Sequence, residues 1–198
     1  MNDEMEGERL VERAKLVLAV REYQVEKTRR REGKIDFTVS PPESDDRILI
    51  RVITEPESKS GYVGVDAVRK MSRTLGRRHY EKGILIGKRF TKASKSEMEN
   101  EDIEAISGRI PRFKPERLYL VIQGHVDNLC KAKCGKIPKE ESDCKGYSDG
   151  QYSCNIRLIN DNANFHFKRG WANPLRRDLV KLLAIEEALN RSLAEEES

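Results

Sequence analysis

A chain of 198 residues is long enough for one or two domains with a genuine hydrophobic core. Charged residues make up 36% and apolar ones 37%, and 38 basic against 34 acidic side chains leave a net charge of only +4. That balance permits a polyanionic partner without demanding one, so local clustering has to decide. The longest apolar stretches, 16–20 and 118–122, fall far short of the roughly 20 residues of a membrane span. The acidic opening with Asp3, Glu4, Glu6 and Glu8 is the reverse of a secretory or organellar leader, and the expected location is cytoplasmic, or nuclear in a eukaryote.

The first predicted element is a helix over 8–21. Leu10, Val11, Ala14, Val17 and Leu18 fall on one face of a 3.6-residue period, and Glu8, Arg9, Glu12 and Arg13 fall outside it. A short strand follows at 23–28. Arg29, Arg30, Arg31, Glu32 and Gly33 then read as a basic hairpin-like turn, either a solvated loop or a phosphate contact. Residues 35–39 alternate with period two, so Ile35, Phe37 and Val39 pack one way while Asp36 and Thr38 point the other. Aspartate is a poor strand former. Asp36 therefore serves a turn or an exposed edge, or it faces a cleft as a metal ligand.

Pro41 and Pro42 fix a polar turn, and residues 48–53 form a run apolar enough for a central strand covered on both faces, interrupted by Arg51. A Pro/Ser/Gly loop leads to a helix over 65–75, broken at Gly76, with Val65, Val68, Met71 and Leu75 inward and Arg69, Lys70, Arg73, Arg77 and Arg78 outward. A strand at 83–86 completes a right-handed crossover and runs parallel to 48–53. Thr91 caps a helix reaching about residue 99, and 103–106 reads as a short strand. This order argues an α/β fold with a mixed sheet flanked by helices.

The stretches Val63-Gly64-Val65-Asp66-Ala67-Val68-Arg69, Glu81-Lys82-Gly83-Ile84-Leu85-Ile86-Gly87 and Phe90-Thr91-Lys92-Ala93 resemble the catalytic domain of Mrr-type restriction endonucleases. That family belongs to the restriction-endonuclease-like group with a PD-(D/E)xK signature, and the resemblance covers residues 8–107. It implies a DNA partner, a Mg²⁺-dependent phosphodiester hydrolase where the site is intact, and a metal-ligating role for Asp36. The family's following strand carries an acidic residue or Gln, one spacer, then Lys. Here Arg51 stands at the first of these positions and Ile53 at the second, so the signature is degenerate. Glu8 or Glu12 matches the glutamate that related nucleases carry on the first helix, without a fixed register.

The departure has chemical consequences. Phosphodiester hydrolysis in such a site needs carboxylates on a divalent ion and a base near the attacking water. Arg51 puts positive charge where the cation would rest, and Ile53 offers no proton acceptor. The expectation is an Asp36–Arg51 ion pair and no ordinary turnover, unless Lys59, Lys70 or Glu55 migrates into the site. The cations Arg29, Arg30, Arg31, Arg69, Lys70, Arg73, Arg77, Arg78, Lys88, Arg89, Lys92 and Lys95 remain for duplex or branched DNA, or simply form a wet surface.

Domain boundaries are expected at 1–108 and 109–198, with a Pro-containing linker near 110–115. The second, smaller unit is expected to be α+β, with strands at 118–122, 152–159 and 165–167 and a final helix capped by Asn173. Leu175, Leu179, Leu182, Leu183, Leu189 and Leu193 line that helix, and Trp171 packs beside it. All four cysteines fall here, as Cys130, Cys134, Cys144 and Cys154. They can hold a structural zinc, with His125 or His166 in place of one of them, form two disulfides, or stay as thiols. No repeat, phosphate-cradling glycine loop or Ser/Cys nucleophile arrangement is present. Three readings follow: a DNA-binding protein that has lost nuclease turnover, a metal-dependent endonuclease with a migrated basic residue, or a non-catalytic assembly subunit. Pairing with a second copy is compatible with each.

Overall fold

The structure, a computed structural model, describes residues 2–56, 61–107, 113–140, 143–144, 146–148 and 151–196. Lys59, the linker over 108–112, Asp149 and Gly150, and the end of the acidic tail lie outside the described residues. The chain forms two compact units, Met1–Pro111 and Arg112–Ser198. Among the described residues no helix is long and apolar enough to cross a membrane.

The first unit runs α1 (Asn2–Val20), β1 (Gln24–Arg31), β2 (Lys34–Ser40), β3 (Ile48–Ile53), α2 (Val65–Arg78), β4 (Lys82–Ile86), α3 (Lys92–Asn100) and β5 (Ile103–Ile106). The five strands make one sheet in sequence order. β1–β2 and β2–β3 are antiparallel, β3–β4 and β4–β5 parallel, as the crossover lengths require. Every residue of β3 is buried. Leu49 and Ile53 share a core with Val68 and Met71 of α2, Leu85 of β4 and Met98 of α3. α1 packs against β3 as well, and since successive strand residues point to opposite faces, it covers Ile48, Ile50 and Val52.

Three local expectations change. The arginines at 29–31 lie in β1 rather than in a turn, and the reversal is made by Glu32 and Gly33, the latter at φ +67° where a side chain would be strained. α2 continues through Gly76 to Arg78 and ends at His79 in the left-handed conformation, because a solvent-facing glycine weakens a helix without terminating it. α1 begins at Asn2, where the acidic residues favour a helix N-terminus. Thr91 does cap α3, accepting from the Ser94 amide at 3.0 Å.

The second unit is three helices and a small hairpin: α4 (Pro115–Cys134), β6 (Tyr147–Ser148), β7 (Gln151–Tyr152), α5 (Asn155–Lys168) and α6 (Ala172–Glu196). All three strands expected here are overturned, apart from Tyr152, which ends β7. Residues 118–122 belong to α4, which Pro115 starts and whose buried Leu118, Val121, Ile122, Val126, Leu129 and Cys130 follow helical spacing. Past β7, the stretch to residue 159 enters α5, where Ile156, Ile159 and Ala163 are buried. Phe165-His166-Phe167 is its last turn, with Phe167 stacked on Tyr119 at 4.3 Å. Asn173 lies inside the first turn of α6, where its side-chain Oδ1 accepts from Arg176, so it is not the cap. Leu175, Leu179 and Leu182 are buried as expected, Leu183 and Leu189 half-buried, and the side chain of Leu193 lies outside the description. Trp171 is 48% exposed and leans on Phe165 and His166 of α5.

Candidate functional site

The antiparallel register of β2 and β3 sets Asp36 directly opposite Arg51. Asp36 is also opposite Arg29 of β1. Cross-strand partners share a face of the sheet, so the carboxylate stands between two arginines in one row. Arg51 Nε donates to Asp36 Oδ1 at 2.6 Å and Nη2 to Oδ2 at 2.8 Å. The two side chains are only 5% and 13% exposed. This is a buried, bidentate, charge-assisted pair that uses both carboxylate oxygens.

A cavity of about 370 Å³ opens beside the pair, at the end of β3. Arg51 and Ile53 form its floor, Lys34 of β2 one wall, and Asp66, Ala67 and Lys70 of α2 another. Glu32 and Glu55 line it as well. The turn at Gly33 is tied to this region because its carbonyl accepts from the amides of Thr54 and Glu55, at 3.0 and 3.1 Å. A methyl on Gly33 would come within 3.1 Å of the Glu55 carbonyl oxygen. The other wall is held by Val63, which bridges to Phe90, donates its amide to the Arg89 carbonyl at 2.8 Å and accepts from the Ser94 hydroxyl at 3.0 Å.

Mg²⁺-assisted hydrolysis needs carboxylate oxygens converging on an ion. The residues here do not fit it. Arg51 takes both oxygens of Asp36, and neither Arg51 nor Ile53 offers a carboxylate beside it. Among the described residues no group of three or more His, Cys, Asp or Glu side chains could hold a metal ion. Glu12 is exposed on α1 and lines neither this cavity nor the one described below. Of the expected migrants, Glu55 and Lys70 do line the cavity.

The arginines and lysines proposed for DNA do not form one surface. Because β2 is antiparallel to both neighbours, the end of β1 with Arg29, Arg30 and Arg31 lies at the cavity end of the sheet. The crossover carries α2 away from that end, so Arg73, Arg77 and Arg78 finish at the opposite one. Arg69 is held by Glu97 of α3 at 2.7 Å. Arg89 lies over the Tyr62 ring, 5.8 Å from its centroid.

In the second unit all four cysteines are thiols, Cys130 and Cys144 buried and Cys134 and Cys154 half-buried. Burial pushes the Cys130 thiol up, opposed by Arg157 and reinforced by Cys154, Cys134 and Cys144. Among the described residues no three of them converge as ligands. His125 sits 3.0 Å from Glu186, misaligned for a hydrogen bond, and His166 Nδ1 is 2.7 Å from the buried Asp178.

Sequence reasoning missed a second cavity, of about 540 Å³, between the start of α1 and the loop after β4. It collects Glu6, Arg13, Tyr62, Lys88, Arg89 and Lys95 from four separate parts of the chain. The one local signal was the Lys88-Arg89 pair just past the carboxyl end of a parallel strand, where open α/β sheets bind ligands.

No curated protein matches the chain. One solved structure, "Structure of EndoMS in apo form", is similar to it at 15% identity and a TM-score of 0.35, covering 50% of this chain and 47% of that one, so the chain spans about half that protein's length. The sequence model of the Mrr catalytic domain, described as a restriction endonuclease, matches residues 2–110, which is more than half of the chain. With the mixed five-stranded sheet, the flanking helices and the aspartate on its second strand already in place, the chain belongs to the Mrr-type restriction endonuclease family.

Proposed function

We propose that this protein binds DNA without cutting it. The observation that carries the reading is the Asp36–Arg51 pair, in which a buried guanidinium occupies the carboxylate that the family's pattern would give to a cation. A carboxylate whose two oxygens are both committed to Arg51 is a poor ligand for Mg²⁺, and no lysine follows two residues later to position water. Loss of both a positioned metal and a base removes several orders of magnitude in rate. What remains is the family's sheet with Arg29, Arg30, Arg31, Lys34 and Lys70 around one end of it, and phosphate contacts of that kind supply sequence-independent affinity.

A second reading has one observation in its favour: Glu55, Asp66 and Lys70 line the cavity beside Arg51, so a displaced carboxylate–lysine set could run hydrolysis there. Plasmid incubated with purified protein and Mg²⁺ or Mn²⁺, beside Asp36→Ala and Lys70→Ala variants, separates the two. The expected result is a salt-sensitive gel shift with no nicking by any of the three proteins. Nicking by the natural protein that Lys70→Ala abolishes would favour the displaced set, and nicking lost in Asp36→Ala would overturn the proposal outright.

A further inference from the structure

We infer that the second cavity, between α1 and the loop joining β4 to α3, is a phosphate-binding subsite, and that it holds the nucleic-acid backbone more strongly than the cations around the cavity at Arg51. This rests on the DNA-binding reading and says where on the surface that binding is centred.

Charge separates the two cavities. The one at Arg51 is lined by Glu32, Glu55 and Asp66 against Lys34, Arg51 and Lys70, so its cations are matched by acids. Among the described residues, the second sets Arg13, Lys88, Arg89 and Lys95 against one carboxylate, that of Glu6. Glu6 is already committed to Lys88. Arg13 makes no ion pair or hydrogen bond among the described residues, although its side chain is half-buried on the flank of α1. Burial lowers its pKa and Arg9 adds to that, while Glu6 and Glu12 oppose them. A guanidinium partly desolvated beside like charge is stabilised by an arriving anion, and its planar fork suits phosphate oxygens.

The cavity is held open by its neighbours rather than by its own charges. Phe90 is buried and Gly87 leaves room for Val63, since a methyl there would lie 2.7 Å from Val63 Cγ2. Arg89 is braced by the Tyr62 ring, which limits its rotation and keeps the charge at the rim. Lys95 reaches in from the exposed side of α3. With Lys88 paired to Glu6, Arg13, Arg89 and Lys95 from α1, the loop and α3 remain around one concavity and match a phosphate ester with oxygens facing several directions.

The test is fluorescence anisotropy with a labelled duplex over a series of salt concentrations. Arg13→Gln and, as an exposed second variant, Arg89→Gln should each weaken binding about tenfold. Each should also lower the slope of log K against log salt by about 0.9. Arg13→Lys should restore most of the loss, and Arg77→Gln at the far end of the sheet should change nothing. Inorganic phosphate and a mononucleotide, titrated against the natural protein, distinguish the source of the phosphate. Millimolar competition by phosphate that Arg13→Gln removes supports the subsite. If the natural protein binds duplex and both variants match it in affinity and slope, the subsite is wrong while the DNA reading stands. If it binds no duplex at low salt, the DNA reading and this anchoring role fail together. Phosphate or nucleotide binding lost in Arg13→Gln would then reassign the cavity to a free phosphate ligand.

Discussion

Cutting one side of the Asp36–Arg51 pair is the most informative perturbation of the first unit. Asp36→Val leaves a guanidinium in β3 on a residue that is 4% exposed overall, stripped of the carboxylate that takes up two of its donors. Breaking a buried pair from one side costs about 3–5 kcal/mol because a charge is left uncompensated. Arg51→Met leaves the carboxylate, which is slightly better hydrated and still faces Arg29 across β1, so its loss should fall near the lower end of that range. The double variant removes both charges and keeps the volume, and it should lie within about 1 kcal/mol of the natural protein, because an apolar replacement of a whole buried pair is often neutral. The single tryptophan, Trp171, is in the second unit, so its fluorescence does not report on the sheet. Amide hydrogen exchange of peptides spanning residues 34–53 is the suitable assay. Losses in the double variant equal to the sum of the two single ones would refute the view that the charges exist to neutralise each other.

Three further outcomes are expected. Gly87→Ala should destabilise the first unit by about 1–3 kcal/mol, read by the same exchange measurement, since the added methyl would strike Val63 at a loop held by backbone hydrogen bonds. Glu104 accepts from Arg21 at 3.0 and 2.5 Å, and these bonds, with help from Lys82, hold its carboxyl below the usual range. A carboxylate depressed on folding contributes stability above its unfolded pKa and loses it as pH falls through the folded value, so Glu104→Gln should flatten the acid limb of the stability profile and be most costly at neutral pH. A structural zinc at Cys130, Cys134, Cys144 and Cys154 is a separate proposal. Four thiols in one unit are a suitable donor set by type, but they would have to close in to become ligands. Native mass spectrometry should show one zinc removed by chelator, and an unchanged mass would retire the proposal.

The first unit was largely legible because its strands carry local rules. Period-two alternation in residues 35–39 and the apolar run at 48–53 fix which side chains share a face, and the one charged residue in each run fell into register. The second unit was misread where apolar runs were short. Residues 118–122 look alike as a strand or a buried helix segment, and only the wider spacing out to Val126, Leu129 and Cys130, with Pro115 at the start, separates them. Phe165-His166-Phe167 shows the strand-like alternation of two rings about a polar residue, yet Tyr119 on α4 gives Phe167 its partner. The second cavity could not be read in advance for a different reason: Glu6, Arg13, Tyr62, Lys88 and Lys95 meet only after α1, the loop and α3 have packed. Arg13 looked like one more charge on a wet helix face, and nothing nearby in sequence marks it as half-buried.

The most direct test of the Asp36–Arg51 argument is a Mn²⁺ titration, followed by electron paramagnetic resonance, of the natural protein, of Asp36→Asn and of the double variant Arg51→Glu/Ile53→Lys, which rebuilds the family's acidic-spacer-lysine pattern. The natural protein and Asp36→Asn should bind Mn²⁺ alike and weakly, while the rebuilt site should gain one bound ion. Tight binding of Mn²⁺ by the natural protein, lost in Asp36→Asn, would mean that Arg51 yields its place to a metal after all.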